Sequence, residues 1–285
     1  MRSEEYRIRA LFVDVRSRRT HACEFSPETS REFLGGRGSG TLLLSGRPTL
    51  DPLDEEAPLV FSTGALTGSR IPSSARMVIS GFSPLTNTVC SSSVGGKLAM
   101  AMKRSGVDLV CITGRASQPL VLMIDDAGVS FETSTLPLNA PLSRVFALLG
   151  AGGGSVAAVG GAAWKGCRYA SIMVDGTFSS GRGGLGAVMA SKNVQAVKIR
   201  GSGAVRTLNR EGEEAARRDI IRLFDASPAI MGGLGLKTFG TAALVDLMAS
   251  RRMMPTANFR RTYFDQYRAF CAGRIREHTS PKHYA

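Results

Sequence analysis

Polar and apolar residues alternate at the start of the chain. Residues 7–15 carry apolar side chains at about every second position, which predicts a half-buried β-strand, and residues 21–25 predict its return strand. Residues 58–64 form a mostly apolar run of the kind found in buried strands. Further strands are predicted at residues 76–81, 87–91, 107–113, 120–125, 129–132, 155–159, 168–173 and 196–200.

Helical periodicity is confined to short segments between these strands. Residues 97–104 place Leu98, Ala101 and Met102 on one face of a helix, which Gly106 is suited to cap. Short helices are also predicted at residues 27–34, 38–44 and 141–149. Because strands are many and long helices are few, the pattern favours the α+β class over a regular doubly wound fold.

The composition changes near residues 201–203, where Gly-Ser-Gly precedes a charged, amphipathic segment at residues 209–226. Another helix is predicted at residues 242–251. We therefore predict a first domain at residues 1–206 and a helical segment at residues 207–285, on which we expect exposed apolar surface.

Length and composition allow a sizeable core. The chain has 285 residues, of which 43% are hydrophobic and 21% charged, so general disorder is not expected. No uninterrupted apolar run reaches the roughly 18 residues of a membrane-spanning helix, and no signal peptide is evident at the N-terminus. We expect a cytoplasmic protein without a membrane span.

The net charge of +13 comes from 36 Lys and Arg residues against 23 Asp and Glu residues. The basic residues are dispersed along the chain, which favours a solvated basic surface. An anionic small ligand or an acidic partner is the main alternative. Nucleic-acid binding is a more distant one, and we predict no nucleic-acid partner.

Cysteine and histidine patterns indicate no metal centre. The five cysteines are widely spaced without a C-x-x-C pair, and the three histidines lie at His21, His278 and His283. A histidine-based metal site or a Ser-His-Asp triad is therefore not expected, and we assign no catalytic residue and no metal ligand. Cys90 and Cys111 are interpreted as buried free thiols.

The most informative segment is the glycine-rich stretch at residues 181–193. Its glycines allow backbone N–H groups to approach a ligand closely, while Arg182 and Lys192 add positive charge suited to a phosphate. The segment matches G-x-G-x-x-G literally, but the following helix is short and no acidic residue lies about twenty positions on. A dinucleotide site is therefore disfavoured, and a tight packing turn is the structural alternative.

Three other loops have a similar small-residue character and also follow predicted strands. They span residues 65–76, which contain Arg70 and Arg76, residues 91–97, whose glycines precede a predicted helix, and residues 159–164, which end at the single tryptophan. Any one of them can be structural. Together they suggest one larger anionic ligand, and the absence of a recognisable acid–base pair suggests that a cofactor supplies the reacting group.

With these segments in view, the chain resembles the N-terminal part of the aldehyde ferredoxin oxidoreductase family of tungsten, and sometimes molybdenum, pterin enzymes. The resemblance runs in order through nearly the whole chain. Its matching segments are residues 33–38, 51–53, 59–68, 72–76, 83–86, 93–96, 175–176, 181–193, 239–242 and 258–259.

The resemblance implies a fold, a cofactor and a partner. The N-terminal domain of this family is a pair of β-sheets that forms a base for two pterin dithiolenes holding one metal, as tungstopterin or molybdopterin. A 4Fe–4S cluster in complete members passes electrons to ferredoxin during oxidation of an aldehyde to a carboxylate.

The resemblance also implies a set of site residues. Arg76, Gly95 and Gly181 match pterin-contacting positions, and Ser93 stands where many members have Asn. Phe178 and Ser179 stand where members often carry Arg and Ala, so one phosphate contact is expected to differ. The predicted cofactor-binding residues are Arg76, Ser93, Gly95, Gly96, Ser179, Gly181 and Arg182.

The family places three closely spaced cluster cysteines shortly after the region resembling residues 258–285, and this sequence does not contain them. We therefore expect the chain to be inactive alone. It is interpreted as the pterin-binding portion of an oxidoreductase: a truncated product, a separately expressed domain, or one half of a split enzyme that a second polypeptide would complete. Homo-oligomer formation is also open. The alternative is a non-catalytic remnant or partner subunit.

Overall fold

The computed structural model describes residues 5–47, 51–205, 207–233 and 235–278. The chain forms two compact units, Met1–Arg210 and Glu211–Ala285. The predicted boundary at residue 206 and the final residues 279–285 lie outside the described residues.

The first unit contains two sheets of six strands each, as the α+β prediction required. The first sheet has the order β2-β1-β6-β3-β4-β5, and its only parallel pair in the described chain is β1 with β6. Its strands are β1 (Arg9–Asp14), β2 (Arg19–Glu24), β3 (Leu59–Thr63), β4 (Met77–Phe82), β5 (Val89–Val94) and β6 (Leu109–Thr113).

The second sheet has the order β11-β10-β9-β12-β7-β8. Strands β7 and β12 are parallel, and the remaining pairs are antiparallel. Its strands are β7 (Leu120–Asp125), β8 (Gly128–Thr133), β9 (Ser155–Ala158), β10 (Ile172–Val174), β11 (Phe178–Ser180) and β12 (Val194–Arg200).

Short helices connect these strands. In the first unit they are α1 (Pro27–Phe33), α2 (Gly36–Leu44), α3 (Leu98–Arg104), α4 (Leu142–Gly150), α5 (Gly161–Trp164) and α6 (Leu185–Ser191). Towards the C-terminus follow α7 (Arg210–Asp225), α8 (Pro228–Met231), α9 (Leu236–Phe239), α10 (Val245–Ser250) and α11 (Ala272–His278), with 3-10 turns at Gly240–Leu244 and Tyr267–Ala269.

One element of the fold departs from the sequence prediction. A strand was predicted at residues 168–173, but the structure has a hairpin of two three-residue strands, β10 and β11, whose turn holds Asp175 and Gly176 at φ +51° and +73°. Strands this short show no measurable alternation. Their pairing depends on the left-handed turn, in which Asp and Gly are both tolerated.

One hydrophobic cluster of buried side chains joins the two sheets. Side chains from both sheets and from α3 and α6 pack together, among them Phe61, Ile79, Leu98, Leu122 and Val188, each no more than 2% exposed. The single tryptophan, Trp164, packs against this core and is a natural fluorescent reporter of its unfolding.

Asp108 connects several elements of the first unit. Its buried carboxylate accepts a hydrogen bond of 2.8 Å from Arg9 Nε and lies 2.6 Å from Lys103 Nζ, while its carbonyl accepts from Thr63 N at 2.9 Å. Burial raises the pKa of this carboxyl, but the Arg9 hydrogen bond and the Lys103 charge outweigh burial and hold the pKa below its usual value. The two ion pairs thus link β1 and α3 to the residue that precedes β6, and the carbonyl of the same residue adds a contact with β3.

Lys192 has a structural role that the sequence analysis did not predict. Its ammonium is fully buried and donates to the carbonyls of Asp54 and Glu55, at 3.3 and 3.0 Å. Burial lowers its pKa to about 8. The prediction that Lys192 adds charge to an anion site is therefore wrong, because this ammonium faces main-chain carbonyls inside the protein.

Apolar side chains are exposed on the second unit, as expected. Leu223, Met253 and Phe259 are 63%, 58% and 82% exposed, and α7 buries none of its residues. The apolar stretch Pro228–Ser250 has a mean hydropathy of 1.2, long and apolar enough by composition to cross a membrane. In the structure it is divided among helices of at most six residues, whereas a span needs about 20.

The buried ammonium of Lys192 predicts a pH dependence. Since its folded pKa of about 8 lies below that of an unfolded lysine, the unfolded state binds more protons between pH 8 and pH 10.5, and stability rises with pH across this window. The difference in the free energy of unfolding between the parent and Lys192→Met should therefore increase by up to about 3 kcal/mol as the pH is raised from 8 to 10.5. Guanidinium titrations followed by Trp164 fluorescence measure this difference.

Both proteins in that comparison should carry Cys111→Ala, because burial raises the pKa of the Cys111 thiol to about 11 and this group titrates in the same range. Lys165→Met, at an exposed position, controls for the loss of one positive charge. A difference between parent and Lys192→Met that stays constant from pH 7 to pH 10.5 would contradict the assignment.

Candidate functional site

Arg76 and Ser93 form a polar pair across the β4–β5 hairpin. Arg76 Nε donates to Ser93 Oγ at 2.7 Å, and Nη2 donates to the Ser93 carbonyl at 3.1 Å. Both residues are exposed, and Nη1 of Arg76 donates no hydrogen bond within the described chain. Ser93 therefore holds the guanidinium in one orientation and leaves one edge open to an anion.

Gly95 and Gly96 follow directly after β5, where the β10–β11 hairpin packs on them. A methyl group at Gly95 would lie 2.7 Å from Cδ1 of Phe178, and one at Gly96 would lie 2.8 Å from Oδ2 of Asp175. Gly96 also has φ +93°. Packing against Phe178 and Asp175 thus explains why glycine occupies both positions. The sequence alone did not reveal these contacts.

The amide groups of this turn differ in availability. No hydrogen bond from the N–H of Gly95 or Gly96 is made to any described residue, whereas Lys97 N donates to Asp175 Oδ2 at 2.7 Å. The sequence analysis expected the start of α3 to attract an anion. A carboxylate of the protein already occupies that position, so the available donors are the two glycine amides before it.

The glycines of residues 181–186 serve two different purposes. A methyl group at Gly183 would collide with Cys90 Sγ and one at Gly184 with the Arg168 carbonyl, and both residues have positive φ. Gly181 is different, since the nearest atom to a methyl group there is Ser179 Oγ at 3.9 Å. The open side of Gly181 leaves room for a ligand to approach the backbone.

Unpaired donors accumulate in the same loop. The N–H groups of residues 181–184 donate to no described part of the chain. Arg182 and Ser179 are exposed, and the Arg182 guanidinium makes no hydrogen bond or ion pair with the residues that the structure describes. Backbone amides followed by a free guanidinium are suited to bind an anion.

The structure brings the two halves of the predicted site together. Strand β11 lies against β5, Phe178 covers Gly95, and Gly183 packs on Cys90 of β5. We call the resulting group the cradle and define it as Arg76, Ser93, Gly95, Gly96, Ser179, Gly181 and Arg182. All seven predicted site residues thus flank one junction between the two sheets.

The two remaining loops are held by internal contacts. In the loop before Arg76, Thr67 Oγ1 donates to the Ser74 carbonyl at 3.1 Å and Ser74 Oγ donates to the Ile71 carbonyl at 2.8 Å. Residues 161–164 form α5, whose Trp164 packs on the core. Of the residues in these two loops, only Arg76 belongs to the cradle.

Two residues near the cradle were not singled out as site residues from sequence. Asp175 accepts hydrogen bonds from Lys97 N, in the turn after β5, and from Ser155 Oγ of β9. The second residue is Arg37, on the first turn of α2, which lies close to Cys90. Burial raises the pKa of the Cys90 thiol, and the charge of Arg37 partly offsets this effect. Cys90 is half-buried, so the prediction of a buried thiol is correct for Cys111 and wrong for Cys90.

Within the described ranges, no group of three or more His, Cys, Asp or Glu side chains is arranged to hold a metal ion.

Comparison with known proteins points to one family. The model of the aldehyde ferredoxin oxidoreductase N-terminal domain matches residues 10–201. The tungsten-containing aldehyde ferredoxin oxidoreductase of Pyrococcus abyssi is 33% identical over 85% of this chain and 40% of its own length. The aliphatic sulfonate oxidoreductase, WOR-like subunit, of Pyrococcus furiosus is 30% identical over 70% of this chain and 35% of its own length.

A solved structure shares the fold. The active site complex BamBC of benzoyl coenzyme A reductase, in complex with 1,5-dienoyl-CoA, matches with a TM-score of 0.72 and 27% identity over 79% of this chain and 36% of that chain. The chain spans about 40% of the length of the tungsten-containing relatives it matches.

The two kinds of glycine at residues 181–186 predict different responses to alanine. Gly183→Ala should lower the free energy of unfolding by about 2 kcal/mol or more, because it adds a left-handed alanine and a collision with Cys90. Gly181→Ala should leave it within about 0.5 kcal/mol, because the added methyl group meets open space. Denaturant titrations followed by Trp164 fluorescence compare the two, and equal losses would contradict this geometry.

Proposed function

Because this chain belongs to the aldehyde ferredoxin oxidoreductase family, we propose that its first unit is the base on which a metal-bound pterin rests. The tungsten-containing relatives support tungstopterin as the cofactor, with molybdopterin as the alternative. The cradle is the proposed contact surface, and the anionic, phosphate-bearing part of the pterin is the proposed ligand.

This proposal rests on one observation: a group of unpaired hydrogen-bond donors surrounds the backbone at Gly181, which a ligand can approach. Arg76 is fixed by Ser93 with one edge free, and the amides of Gly95, Gly96 and residues 181–184 have no partner in the described chain. Gly181 leaves space at the backbone. These residues fit a large anion, since both the charge and the directional donors are fixed before the ligand arrives.

Each cradle residue has a distinct task in this proposal. Arg76 neutralises phosphate charge, Ser93 orients Arg76, and the amides near Gly181 donate directional hydrogen bonds. Ser179 and Arg182 flank the open side. The bound metal supplies the two-electron chemistry by which an aldehyde becomes a carboxylate, while these residues bind and orient the group.

Phe178 gives this cradle an apolar wall. It is 44% exposed and lies over Gly95 and Gly96. The ring adds no charge, so the guanidinium groups of Arg76 and Arg182 carry the attraction for the anion. We therefore propose that binding depends more on these two arginines than it would with a third cation at position 178.

The activity of the whole enzyme is a further part of the proposal. We propose aldehyde oxidation with electrons passed through a 4Fe–4S cluster to ferredoxin, completed by regions corresponding to the part of the relatives that lies outside the matched 40% of their length. A relative named as a WOR-like subunit supports the alternative of a partner subunit in a larger assembly. Five free cysteines are consistent with the reducing cytoplasm as location.

The proposal predicts that Arg76→Ala weakens cofactor retention. The chain should be expressed with tungstate and with a candidate second polypeptide, and metal and pterin should be quantified per mole of purified protein. We expect at least about a ten-fold loss of both, since a charge-assisted phosphate contact contributes roughly 1.5–3 kcal/mol. Arg76→Lys should retain part of the binding.

Arg19→Ala is the matched control, because Arg19 is an exposed arginine on β2, at the opposite edge of the same sheet. Its cofactor content should equal that of the parent. Equal retention by Arg76→Ala and the parent would overturn the role of Arg76. A parent protein that never retains metal or pterin, even with the second polypeptide, would overturn the proposed function.

A further inference from the structure

Asp175 lies between the two halves of the cradle and accepts hydrogen bonds from both sheets. Oδ2 accepts from Lys97 N at 2.7 Å, in the turn that follows β5 of the first sheet. Oδ1 accepts from Ser155 Oγ at 2.6 Å and from Val156 N at 3.1 Å, on β9 of the second sheet. The carboxylate is thus shared between the two sheets.

The turn that carries Asp175 is built for this contact. Asp175 has φ +51° and Gly176 has φ +73°, so the β10–β11 hairpin turns sharply and directs the carboxylate towards the first sheet. Asp175 N donates to the Val156 carbonyl at 2.9 Å, which fixes the backbone as well as the side chain. The hairpin is therefore anchored on β9 before it reaches the glycine turn.

The position of Gly96 depends on the same carboxylate. A methyl group there would lie 2.8 Å from Asp175 Oδ2 and 3.2 Å from the Phe178 ring, so the turn and the hairpin are in direct contact. Across the described chain, the Lys97–Asp175 bond is the single hydrogen bond between this turn and the hairpin. Other contacts between them are apolar and have little directional preference.

We propose that Asp175 is a positioning residue for the cradle: it sets the spacing between the amides of Gly95 and Gly96 and the amides of residues 181–184. Asp175 does not touch the anion. Its contribution is to keep two groups of donors, one on each sheet, at the separation that a single large anion requires. The binding role rests on the proposed function, whereas the positional role does not.

Asp175→Asn is the most informative substitution. Asparagine tolerates the left-handed backbone as well as aspartate does, so the turn is preserved. Its single carbonyl oxygen can still accept from β9, but its NH₂ group then faces Lys97 N–H, and two donors do not bond. The substitution therefore breaks the contact with the first sheet and keeps the anchor on the second.

The first measurement needs no ligand. Amide hydrogen exchange should accelerate by about ten-fold or more at Lys97, whose N–H loses its acceptor, and in the β10–β11 hairpin of Asp175→Asn, while β6 in the core keeps its protection. Unchanged exchange at Lys97 would overturn the positional role.

The second measurement uses pyrophosphate as the probe and isothermal titration as the readout. We expect about ten-fold weaker binding by Asp175→Asn under conditions in which Trp164 fluorescence shows both proteins folded. Faster exchange with unchanged pyrophosphate affinity would overturn the positioning role and leave Asp175 a purely structural residue.

Asp126→Asn is the matched control. Asp126 accepts from Ser202 N at 3.1 Å and from Ser202 Oγ at 2.6 Å, a comparable carboxylate contact away from the cradle residues. It should change neither exchange at Lys97 nor pyrophosphate affinity. If the parent itself does not bind pyrophosphate, the proposed anion site fails, and the exchange experiment still decides whether Asp175 joins the two sheets.

Discussion

Close packing at glycine positions, where helix α6 and the loop before it meet both sheets, is the constraint on which the rest of the first unit depends. A methyl group at Gly81 would lie 3.1 Å from Leu185, one at Gly186 would lie 2.6 Å from the Ser171 carbonyl, and Gly183 faces Cys90. Helix α6 is therefore inserted between β4 and the chain leading into β10. Side chains at these positions would push the sheets apart and open the shared core, which interiors packed at crystal-like density do not tolerate.

This constraint also explains why unpaired hydrogen-bond donors collect at the junction. The loop at residues 181–184 is held by close packing at Gly183 and Gly184 and lies outside the strands of both sheets, so its amides remain without partners in the described chain. Two charged groups nearby are engaged inside the protein: Lys192 by the carbonyls of Asp54 and Glu55, and Asp175 by both sheets. Arg76 and Arg182 are left to face solvent, and the local field is positive where the amides are free.

Much of the fold follows from sequence patterns of two kinds. Alternation at residues 7–15 and the apolar run at residues 58–64 predicted β1 and β3, and the small-residue cap at Gly106 predicted the end of α3 correctly. The β10–β11 hairpin was missed because three-residue strands have no period. The burial of Lys192 was missed because a lysine near a glycine loop carries no sign of the carbonyls it meets from 138 residues away. Contacts between residues far apart in the sequence determine the geometry of the site, and the local sequence pattern does not encode these contacts.

The loop at residues 181–186 shows that the same G-x-G-x-x-G motif can be required for different structural reasons. In a dinucleotide fold, the strand before G-x-G-x-x-G and the strand after its helix are parallel neighbours, and the helix N-terminus faces the pyrophosphate. Here β11 and β12 are separated by β10 and β9 in the sheet, and residues 185–190 of α6 are buried. Gly183 and Gly186 are required by contacts with Cys90 and Ser171, and only Gly181 is open. The open side of the loop is therefore at Gly181, and this is the side from which we propose that a ligand approaches Arg182 and the β4–β5 hairpin bearing Arg76.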